Sequence, residues 1–493
     1  MWKYVNEALK KNLKSKFISD SQNLTYEKIL RFVKLRGEQL QKSFPRYSKC
    51  AILCEDEMYT ALAIISCWFA GLIPIPLSKN YGEKHYKKIL LQSKPNLIIT
   101  DSDSISFGKR DVQNFNIRGG NYSQQKFDIE VDKSLKGISV ILYTSGTTGI
   151  PKGVLLTHQG LLTNIIGIKS YLKLSHLDNI MIARSLYHCS VFTGEFLVAI
   201  SQGANIYFFN DSFNPMKLIT KIKENNITIC GGTPTLFKQV VTLLERTKEV
   251  LPIKQLSISG ECLTQETASI VRKAFKESMI FNSYGQTEAS PRISYLPSQY
   301  FDEYSDSVGF ALPSTKIKIC SKESGEILPA DARGIIYVKS PSVMKGYYKE
   351  KILTQKTIQK GWLKTNDFGY IDNKGFLYVL SRVDDLIIKA GMNVYPREIE
   401  NIINSFKEVN ECIVYQNNRG GIGVDVILES KYSSFSKQEF LNRSLESLPQ
   451  FQMPNEVNFV KKIEKSISEK LIRRKKKDNV TLSQVFRVTN VEF

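Results

Sequence analysis

The sequence predicts an α/β protein with a large N-terminal domain and a small C-terminal domain. Short apolar strands alternate with helical segments through residues 1–380, a pattern typical of parallel sheets covered by helices. The segment Gly309–Ser340 instead carries two alternating strands, TKIKIC and GIIYVKS, which predict an antiparallel, barrel-like β subdomain. From Asp384 onward the pattern predicts an α+β unit. We expect domains at residues 1–383 and 384–493, because 493 residues are too many for one ordinary core.

Buried strands are predicted where short apolar runs are bounded by turn residues. Five such runs are Ala51–Leu53, Leu97–Thr100, Ile138–Leu142, Ile206–Phe209 and Ile227–Gly231. The stretch Thr60–Leu77 has no charged residue over 18 positions and could be mistaken for a membrane span. Because Gly71, Pro74 and Pro76 interrupt it, we expect a buried helix that ends near Gly71, then a short strand, and no membrane span.

The composition is that of a globular protein with a strong basic excess. Hydrophobic residues make up 42% and charged residues 24%, and the net charge is +20. No nucleic-acid motif accompanies this charge, so we expect no nucleic-acid partner. The densest run, Lys461–Lys477, has nine basic and two acidic residues. It is either a solvated face or a surface that attracts polyanions such as ATP, CoA or an acidic carrier protein.

Cysteine usage and the N-terminus indicate a cytoplasmic location. The eight cysteines show no CxxC spacing and lie mostly in apolar surroundings, as expected for free thiols in a reducing compartment. No apolar segment typical of a signal peptide follows the first lysines. We therefore expect a cytoplasmic protein.

One loop carries more chemistry than any other stretch. Tyr143–Gly153 reads YTSGTTGIPKG, with three glycines, five hydroxyl side chains and one lysine, directly after the predicted strand Ile138–Leu142. Glycines allow backbone N–H groups to converge on an anion, and the hydroxyls and Lys152 add donors that a triphosphate can use. The loop is not a Walker motif, because it lacks Gly-Lys-Ser/Thr at the required place. By composition alone, a surface turn remains the alternative.

The order of residues in this loop resembles the signature of the adenylate-forming superfamily. That superfamily includes acyl- and aryl-CoA ligases, peptide-synthetase adenylation domains and luciferase. Further segments resemble its motifs in the same order along nearly the whole chain. They are Asn282–Glu288 (NSYGQTE), Gly361–Asp367 (GWLKTND), Ser381–Glu400 (SRVDDLIIKAGMNVYPREIE) and Lys465–Arg474 (KSISEKLIRR).

The resemblance implies a two-step reaction on a small carboxylic acid. The carboxylate attacks the α-phosphorus of ATP, pyrophosphate leaves, and the acyl-adenylate then passes its acyl group to a thiol. The implied cofactors are ATP, Mg²⁺ and CoA, or a phosphopantetheinyl carrier protein in place of CoA. Catalytic roles are implied for Thr287 on the α-phosphate, Glu288 on Mg²⁺ and Lys470 between the carboxylate and the α-phosphate. The implied nucleotide-binding residues are Thr144, Ser145, Gly146, Thr147, Thr148, Gly149, Lys152, Gly260, Glu261, Tyr284, Asp367 and Arg382.

The resemblance also implies that the C-terminal domain is mobile. Asp384 matches the hinge position, and Lys389 and Gly391 lie in the loop that lines the thiol tunnel in the second step. His188 lies where peptide-synthetase domains usually carry an aspartate, which favours an acid without an α-amino group. We count His188 among the predicted catalytic residues, and a histidine of the core or one that acts behind the site is the alternative. The predicted acid pocket comprises His188–Gly194, Cys230–Thr233 and Ser283–Gly285, whose residues suggest an apolar or aromatic acid.

Several departures from the family pattern bear on the rate. Glu469 and Glu464 stand where glycine and proline are usual near the catalytic lysine, Asn366 replaces a glycine, and Ala390 replaces another. A carboxylate beside Lys470 could pair with it and weaken its contact with the adenylate.

From the resemblance as a whole we expect a CoA ligase. The alternatives are a stand-alone ligase that loads a carrier protein, or a degenerate homologue that binds nucleotide without turnover.

Overall fold

A computed structural model of the chain describes residues 1–79, 81–102, 112–122, 129, 131–144, 151–211, 214–389, 392–464 and 473, without the side chain of Asn393. These residues form two compact units. The first comprises Met1–Thr365 and Gly369–Val379, and the second comprises Asn366–Phe368 and the chain from Leu380 onward. The domain boundary between residues 383 and 384 stays a prediction.

The helices of the described residues alternate with strands along most of the first unit. Most begin with a side-chain cap, such as Thr233, whose hydroxyl accepts from the backbone N–H of Leu236. The helices are α1 (Trp2–Lys11), α2 (Tyr26–Ser43), α3 (Glu57–Ala70), α4 (Glu83–Ser93), α5 (His158–Lys169), α6 (Cys189–Val191), α7 (Val198–Gln202), α8 (Pro215–Glu224), α9 (Pro234–Thr247), α10 (Gln265–Ala274), α11 (Lys351–Thr357), α12 (Pro396–Asn404) and α13 (Lys437–Ser447).

The largest sheet of the described chain has nine strands and a parallel centre. In spatial order the strands are β16 (Phe310–Ala311), β15 (Arg292–Leu296), β14 (Met279–Gly285), β13 (Gln255–Ser259), β12 (Ile229–Gly232), β10 (Asn179–Ile182), β11 (Asn205–Phe208), β1 (Lys16–Ile18) and β2 (Asn23–Thr25). The pairs from β14 through to β1 are parallel, and the outer pairs, β16 with β15, β15 with β14 and β1 with β2, are antiparallel.

A second sheet is also mainly parallel. Its spatial order is β4 (Ile73–Pro76), β3 (Lys49–Ile52), β5 (Leu97–Thr100), β6 (Gln113–Asn116) and β7 (Asn121–Tyr122). Helix α3 leads into β4 through Gly71, which adopts φ +76° and ends the helix in the left-handed region that favours glycine. This confirms the buried helix and short strand predicted for Thr60–Leu77. Among the described residues, no helix combines the length and the apolar character needed to cross a bilayer.

Two smaller sheets contain the antiparallel part of the first unit. One has the order β17 (Lys316–Cys320), β18 (Gly334–Lys339), β21 (Trp362–Ile371), β20 (Ile358–Gln359), with β22 (Leu377–Arg382) beside β21. Strands β17 and β18 pair antiparallel, as predicted for Gly309–Ser340. The other has β19 (Gly346–Tyr347), β9 (Lys152–Thr157) and β8 (Ile138–Thr144). Ile138–Leu142 forms a buried strand as predicted, and within β8 it pairs antiparallel with β9.

The second unit is a small α+β assembly. Strands β23 (Ile387–Lys389) and β24 (Met392–Val394) form a hairpin, and β25 (Val409–Gln416), β26 (Ile422–Leu428) and β27 (Glu456–Phe459) form a three-stranded sheet. Helices α12 and α13 contribute Ile399, Ile403 and Phe440 to one apolar core with this sheet. The unit therefore has a core of its own, as a domain requires.

The parallel strands of the largest sheet bring distant segments to one edge. The carboxyl ends of β10, β12, β13 and β14 all point the same way, and in open α/β sheets ligands bind beyond such ends. The residues that follow these strands include Arg184, Thr233, Gly260 and Glu261. Three predicted site residues, Gly260, Glu261 and Tyr284, lie at or directly after the ends of these strands.

Candidate functional site

Gly260 and Glu261, predicted to frame adenine, follow directly after β13. Gly260 has φ +99°, a conformation that side chains with a Cβ rarely adopt. The Thr235 hydroxyl donates to Glu261 Oε2 at 2.7 Å, which fixes the carboxylate against the start of α9. Tyr284 lies at the end of β14 and is half-buried. The structure thus places these three predicted residues at the ends of two adjacent parallel strands.

Lys152 and Glu288 are connected through Tyr347. The Tyr347 hydroxyl donates to Glu288 Oε1 at 2.8 Å, and Lys152 Nζ lies 5.7 Å from the centre of the Tyr347 ring. Tyr347 pairs with Val154 across β19 and β9, which holds its ring next to the strand that begins at Lys152. Lys152, predicted to bind phosphate, and Glu288, predicted to bind Mg²⁺, therefore both have Tyr347 as a neighbour. Thr287 precedes Glu288 in a short 3₁₀ turn.

Tyr347 is a site residue that the sequence analysis missed. It belongs to the segment VMKGYY at Val343–Tyr348, which has no polar pattern of its own. Only the pairing of β19 with β9, nearly 200 residues apart, shows which hydroxyl reaches Glu288. The Gly-Tyr-Tyr of residues 346–348, whose first two residues form β19, was the available signal.

His188 lies at the start of α6, next to a group of aromatic rings. Its ring centre is 3.9 Å from that of Tyr187, with the planes tilted by 36°. Tyr187 in turn contacts Tyr81 at 5.4 Å between ring centres. The chain then continues through a π-helical turn, Phe192–Leu197, which is fully buried. His188 therefore opens a buried segment, and its catalytic role stays a prediction.

A buried ionic cluster lies beside that π-helical turn. We call Arg184, Glu195 and Arg292 the buried arginine cluster. Arg184 Nη2 lies 2.8 Å from Glu195 Oε1, and Arg292 Nη2 donates to the Ser257 hydroxyl at 3.4 Å. Glu195 is 1% exposed and Arg292 is 2% exposed. Gly194 packs on Arg292, since a Cβ there would lie 3.2 Å from Nη2.

The buried arginine cluster has unmatched polar atoms and unmatched charge. Glu195 Oε2, Arg184 Nε and Arg292 Nε are buried without a hydrogen-bond partner among the described residues. Arg184 pairs with Glu195, whereas Arg292 has no carboxylate within ion-pair distance in the described part of the chain. Burial and the Glu195 charge raise the pKa of Cys230 to about 12. Uncompensated buried charge is costly, so an additional anion would stabilise this cluster.

The predicted acid pocket overlaps this cluster, so its surroundings are charged and not apolar. Glu195 lies against Gly231, where a Cβ would overlap its carboxylate, and Gly231 pairs with Ser257 across β12 and β13. The predicted segments His188–Gly194 and Cys230–Thr233 are thus in contact with charged side chains. The Cys, Phe and Tyr of these segments suggested an apolar or aromatic acid, and the sequence pattern did not predict the arginines beside them. The glycines at 194 and 231, which make room for the charges, were the available signal.

Asp367 and Arg382, both predicted to contact the nucleotide, are ion-paired with each other in the second unit. Arg382 Nη1 donates to Asp367 Oδ1 at 3.0 Å, and Asp367 is buried. Asn366 has φ +62°. Asparagine tolerates this left-handed conformation better than most residues with a side chain, so Asn366 can adopt the backbone conformation that glycine would have at this position of β21.

The other predicted site residues of both units are only partly described. Asp384 is exposed within a 3₁₀ turn at Val383–Asp385, and Lys389 Nζ donates to the carbonyl of Met453 at 3.2 Å. Thr144 ends strand β8. The remaining predicted site residues lie outside the described part of the chain: Ser145, Gly146, Thr147, Thr148, Gly149, Gly391 and Lys470.

Comparison with protein families gives one match over most of the chain. The model described as "AMP-binding enzyme" matches residues 6–348. This range contains the phosphate loop, the segment Asn282–Glu288, the buried arginine cluster and Tyr347. The match therefore covers every predicted site residue of the first unit.

Individual relatives agree with the family match. A 2-succinylbenzoate–CoA ligase of Bacillus subtilis is 28% identical over 469 residues, which is 94% of this chain and 94% of the relative. A long-chain-fatty-acid–CoA ligase of Salmonella typhimurium is 29% identical over 346 residues, 69% of this chain and 61% of the relative. The solved O-succinylbenzoate coenzyme A synthetase of Bacillus subtilis, in complex with ATP and magnesium ion, superposes with a TM-score of 0.83, 26% identity, and coverage of 95% and 98% of the two chains.

Proposed function

The chain belongs to the AMP-binding enzymes, and on that premise we propose that it activates a carboxylic acid with ATP and transfers the acyl group to coenzyme A. In the first step a carboxylate oxygen bonds to the α-phosphorus and the bond to pyrophosphate breaks. In the second step the thiol sulfur bonds to the acyl carbon and AMP leaves. The enzyme is an AMP-forming acid–thiol ligase, which two related CoA ligases support.

The Lys152–Tyr347–Glu288 arrangement is the observation that carries this proposal. A lysine at the foot of the phosphate loop offers a point charge to phosphate oxygens. Glu288 offers a carboxylate, the ligand type that Mg²⁺ takes together with substrate phosphates. When bound, Mg²⁺ supplies positive charge that offsets the charge on those phosphates. Because the Tyr347 hydroxyl holds Glu288 Oε1, the carboxylate is oriented before ATP arrives.

We assign the remaining site residues by the same logic. Thr287 donates to the α-phosphate, while Gly260, Glu261 and Tyr284 frame the adenine. Asp367 accepts from the ribose hydroxyls, and its partner Arg382 neutralises it until the nucleotide binds.

The two steps require two arrangements of the chain around the same acyl group. Lys470 serves adenylation, and the segment with Lys389 and Gly391 serves the thiol step, with Asp384 as the hinge between residues 1–383 and 384–493. A hinge near one exposed residue fits the general repertoire of domain closure. The exposure of Asp384 within the 3₁₀ turn at Val383–Asp385 supports this placement of the hinge.

Coenzyme A is the acceptor we propose, in the cytoplasm. Both relatives named above are CoA ligases, and none of the eight cysteines, all within the described residues, forms a disulfide, as suits a reducing compartment. The alternative acceptor is an acidic carrier protein, which the net charge of +20 would attract. The degenerate-homologue alternative has less support, because Glu288, Asp367 and Lys470 are all retained.

The acceptor can be tested by following thiol and pyrophosphate together. We expect one CoA to be acylated for each pyrophosphate released. If a holo-carrier protein is acylated at the rate of pyrophosphate release while CoA stays intact, the carrier protein is the acceptor and CoA is not.

The acid that we propose carries a second anionic group next to its reacting carboxylate. The buried arginine cluster supports this, because Arg292 lacks a carboxylate partner among the described residues. The named 2-succinylbenzoate ligases support it as well, since that acid has two carboxylates. This proposal narrows the apolar or aromatic acid expected from the sequence to an aryl acid with a second anionic group.

Replacing Arg292 with methionine tests this acid class. A panel of 2-succinylbenzoate, benzoate and octanoate should show fastest pyrophosphate release with 2-succinylbenzoate. In Arg292→Met that preference should fall by about 10–100-fold, because one buried charge-assisted contact is worth about 1.5–3 kcal/mol. Arg272→Met, which removes a surface Arg–Asp302 pair in the same unit, is the matched control. An unchanged preference in Arg292→Met would remove the second anion from the proposal.

A further inference from the structure

A cavity of about 830 Å³ opens on one face of the largest sheet, where three of its parallel strands begin. Lys16, Asn179 and Asn205 are the first residues of β1, β10 and β11, and all three line the cavity. Ile18 and Tyr207, two positions further along β1 and β11, line it as well, because alternate side chains of a strand lie on the same face. None of the predicted site residues that the structure describes is in this lining. The cavity is therefore separate from the candidate functional site.

The lining of this cavity carries positive charge and no negative charge. Lys10, Lys11, Lys14, Lys16 and His176 line it, whereas no aspartate or glutamate of the described residues does. We call it the basic cavity after these five side chains. The four lysines are exposed, and none forms an ion pair within the described part of the chain. Lys10 and Lys11 lie in the last turn of α1, where the helix dipole favours a cation, but Lys14 and Lys16 lie beyond that turn.

Further positive charge lies next to the basic cavity. Burial lowers the pKa of Lys169, and the charges of Lys11 and Lys173 lower it further. Asp178, just before β10, does not line the cavity, and its Oδ2 accepts from the backbone N–H and the hydroxyl of Ser175 at 2.9 and 3.0 Å. That carboxylate therefore serves the turn before the strand. The local charge balance favours an anion in the cavity.

A chain of asparagine contacts fixes the backbone around the basic cavity. Asn205 Oδ1 accepts from the backbone N–H of Lys16 at 3.0 Å, and Asn205 Nδ2 donates to Asn179 Oδ1 at 3.0 Å. Asn179 Nδ2 donates in turn to the carbonyl of Asn225, the residue that follows α8, at 3.0 Å. These bonds join the starts of β1, β11 and β10 to the end of α8. The walls are thus ordered before a ligand arrives, which lowers the entropic cost of binding one.

We propose that the basic cavity binds a small anion with two or more adjacent phosphate groups. Each lysine ammonium offers three N–H donors, and a phosphate chain presents several charged oxygen acceptors within a short length. A single carboxylate would offset only one of the charges that line the cavity. The volume lies in the range of small-molecule sites, about 300–1,000 Å³. No described residue that we assign to the ligase reaction lines the cavity, so this inference does not rest on the proposed function.

Tripolyphosphate is the probe, and isothermal titration calorimetry at low ionic strength is the measurement, because salt screens exposed charges. The full-length Lys152→Met variant is titrated first, since Lys152 belongs to the phosphate loop of the proposed nucleotide site and its loss weakens binding there. This variant should still bind tripolyphosphate. Adding Lys14→Gln and Lys16→Gln to it should lower the affinity by at least about 10-fold, because two charge-assisted contacts are removed. If that protein does not fold, Lys10→Gln with Lys14→Gln replaces the pair.

Lys3→Gln with Lys34→Gln, added to the same Lys152→Met protein, is the matched control. Both lysines are exposed in the same unit, and neither lines the basic cavity. Removing two charges at these positions should change the affinity for tripolyphosphate by less than about 2-fold.

ATP is the second probe, and it separates the two sources of such phosphates. If the ligand is a free polyphosphate, the Lys14→Gln and Lys16→Gln pair should remove equal parts of the tripolyphosphate and ATP binding. If the ligand is a nucleotide, the part of ATP binding that the pair removes should be the tighter one, because the Tyr207 ring offers a surface for the base. Either result supports the site.

Three results would overturn the proposal. Equal losses of affinity in the cavity pair and in the control pair would mean that tripolyphosphate responds to net charge and not to the cavity. No binding to Lys152→Met would mean that polyphosphate binds only at the phosphate loop. Binding of poly-glutamate that depends on Lys14 and Lys16, without binding of tripolyphosphate, would make the cavity a contact surface for an acidic protein instead.

Discussion

Lys470→Ala is expected to slow adenylation by about 10²–10³-fold, the range for loss of one group that stabilises transition-state charge. The negative charge of the carboxylate must approach the negatively charged α-phosphate, and a cation between them offsets that repulsion. The thiol step has no such approach of two anions. The pre-made acyl-adenylate should therefore be converted to thioester at nearly the wild-type rate.

Matched variants separate this effect from a general loss of positive charge. Lys462→Ala removes one exposed lysine from the same basic run and should leave both steps unchanged. Glu469→Gly should raise the adenylation rate if Glu469 pairs with Lys470. Asp384→Pro should slow the thiol step and leave adenylation nearly unchanged, the reverse of Lys470→Ala, because proline fixes φ and restricts the hinge. Equal loss of both steps in Lys470→Ala would contradict the two-arrangement mechanism.

Glu288→Gln is expected to reduce pyrophosphate release by about 10²–10³-fold, because it removes the charge that holds Mg²⁺ and keeps the shape of the side chain. The glutamine oxygen can still accept from the Tyr347 hydroxyl, so the local fold should persist and the melting temperature should stay close to wild type. The rate should be measured across a range of Mg²⁺ concentrations, where the variant should need more metal for half its maximal rate.

Tyr347→Phe is the matched control for Glu288. It leaves the carboxylate in place and removes only the hydrogen bond that orients it, so a loss of about 10-fold or less is expected. A wild-type rate for Glu288→Gln at every Mg²⁺ concentration would remove Glu288 from the metal site. A larger loss in Tyr347→Phe than in Glu288→Gln would move the main role to the tyrosine.

The order of motifs along the chain predicted the fold class, because each motif consists of residues that are neighbours in the sequence. Gly260 and Glu261 follow a strand whose apolar residues are plain in the sequence. The helix that ends at Gly71 was predictable from one glycine and two prolines. The antiparallel pairing of β8 with β9 was not predictable, because a buried apolar strand has the same residue pattern in parallel and antiparallel sheets.

The contacts that the sequence could not supply are those between distant residues. Arg292 reaches Ser257 and Gly194 only after three strands and a π-helical turn are assembled. Arg473 looked like one more charge in a basic run until the fold placed Glu400 against it. Asn366 looked like a damaging departure until its φ of +62° showed that it fills the role of glycine. Each case depends on geometry that single-sequence patterns do not contain.

The most direct test of the account follows the fate of the three ATP phosphates in the absence of any thiol. ATP labelled at the α- and γ-phosphates is incubated with the full-length enzyme, Mg²⁺ and 2-succinylbenzoate, and the products are separated. We expect labelled pyrophosphate together with an enzyme-bound acyl-adenylate that carries the α-label, and release of labelled AMP only after CoA is added. Formation of ADP and labelled inorganic phosphate would contradict the adenylation chemistry.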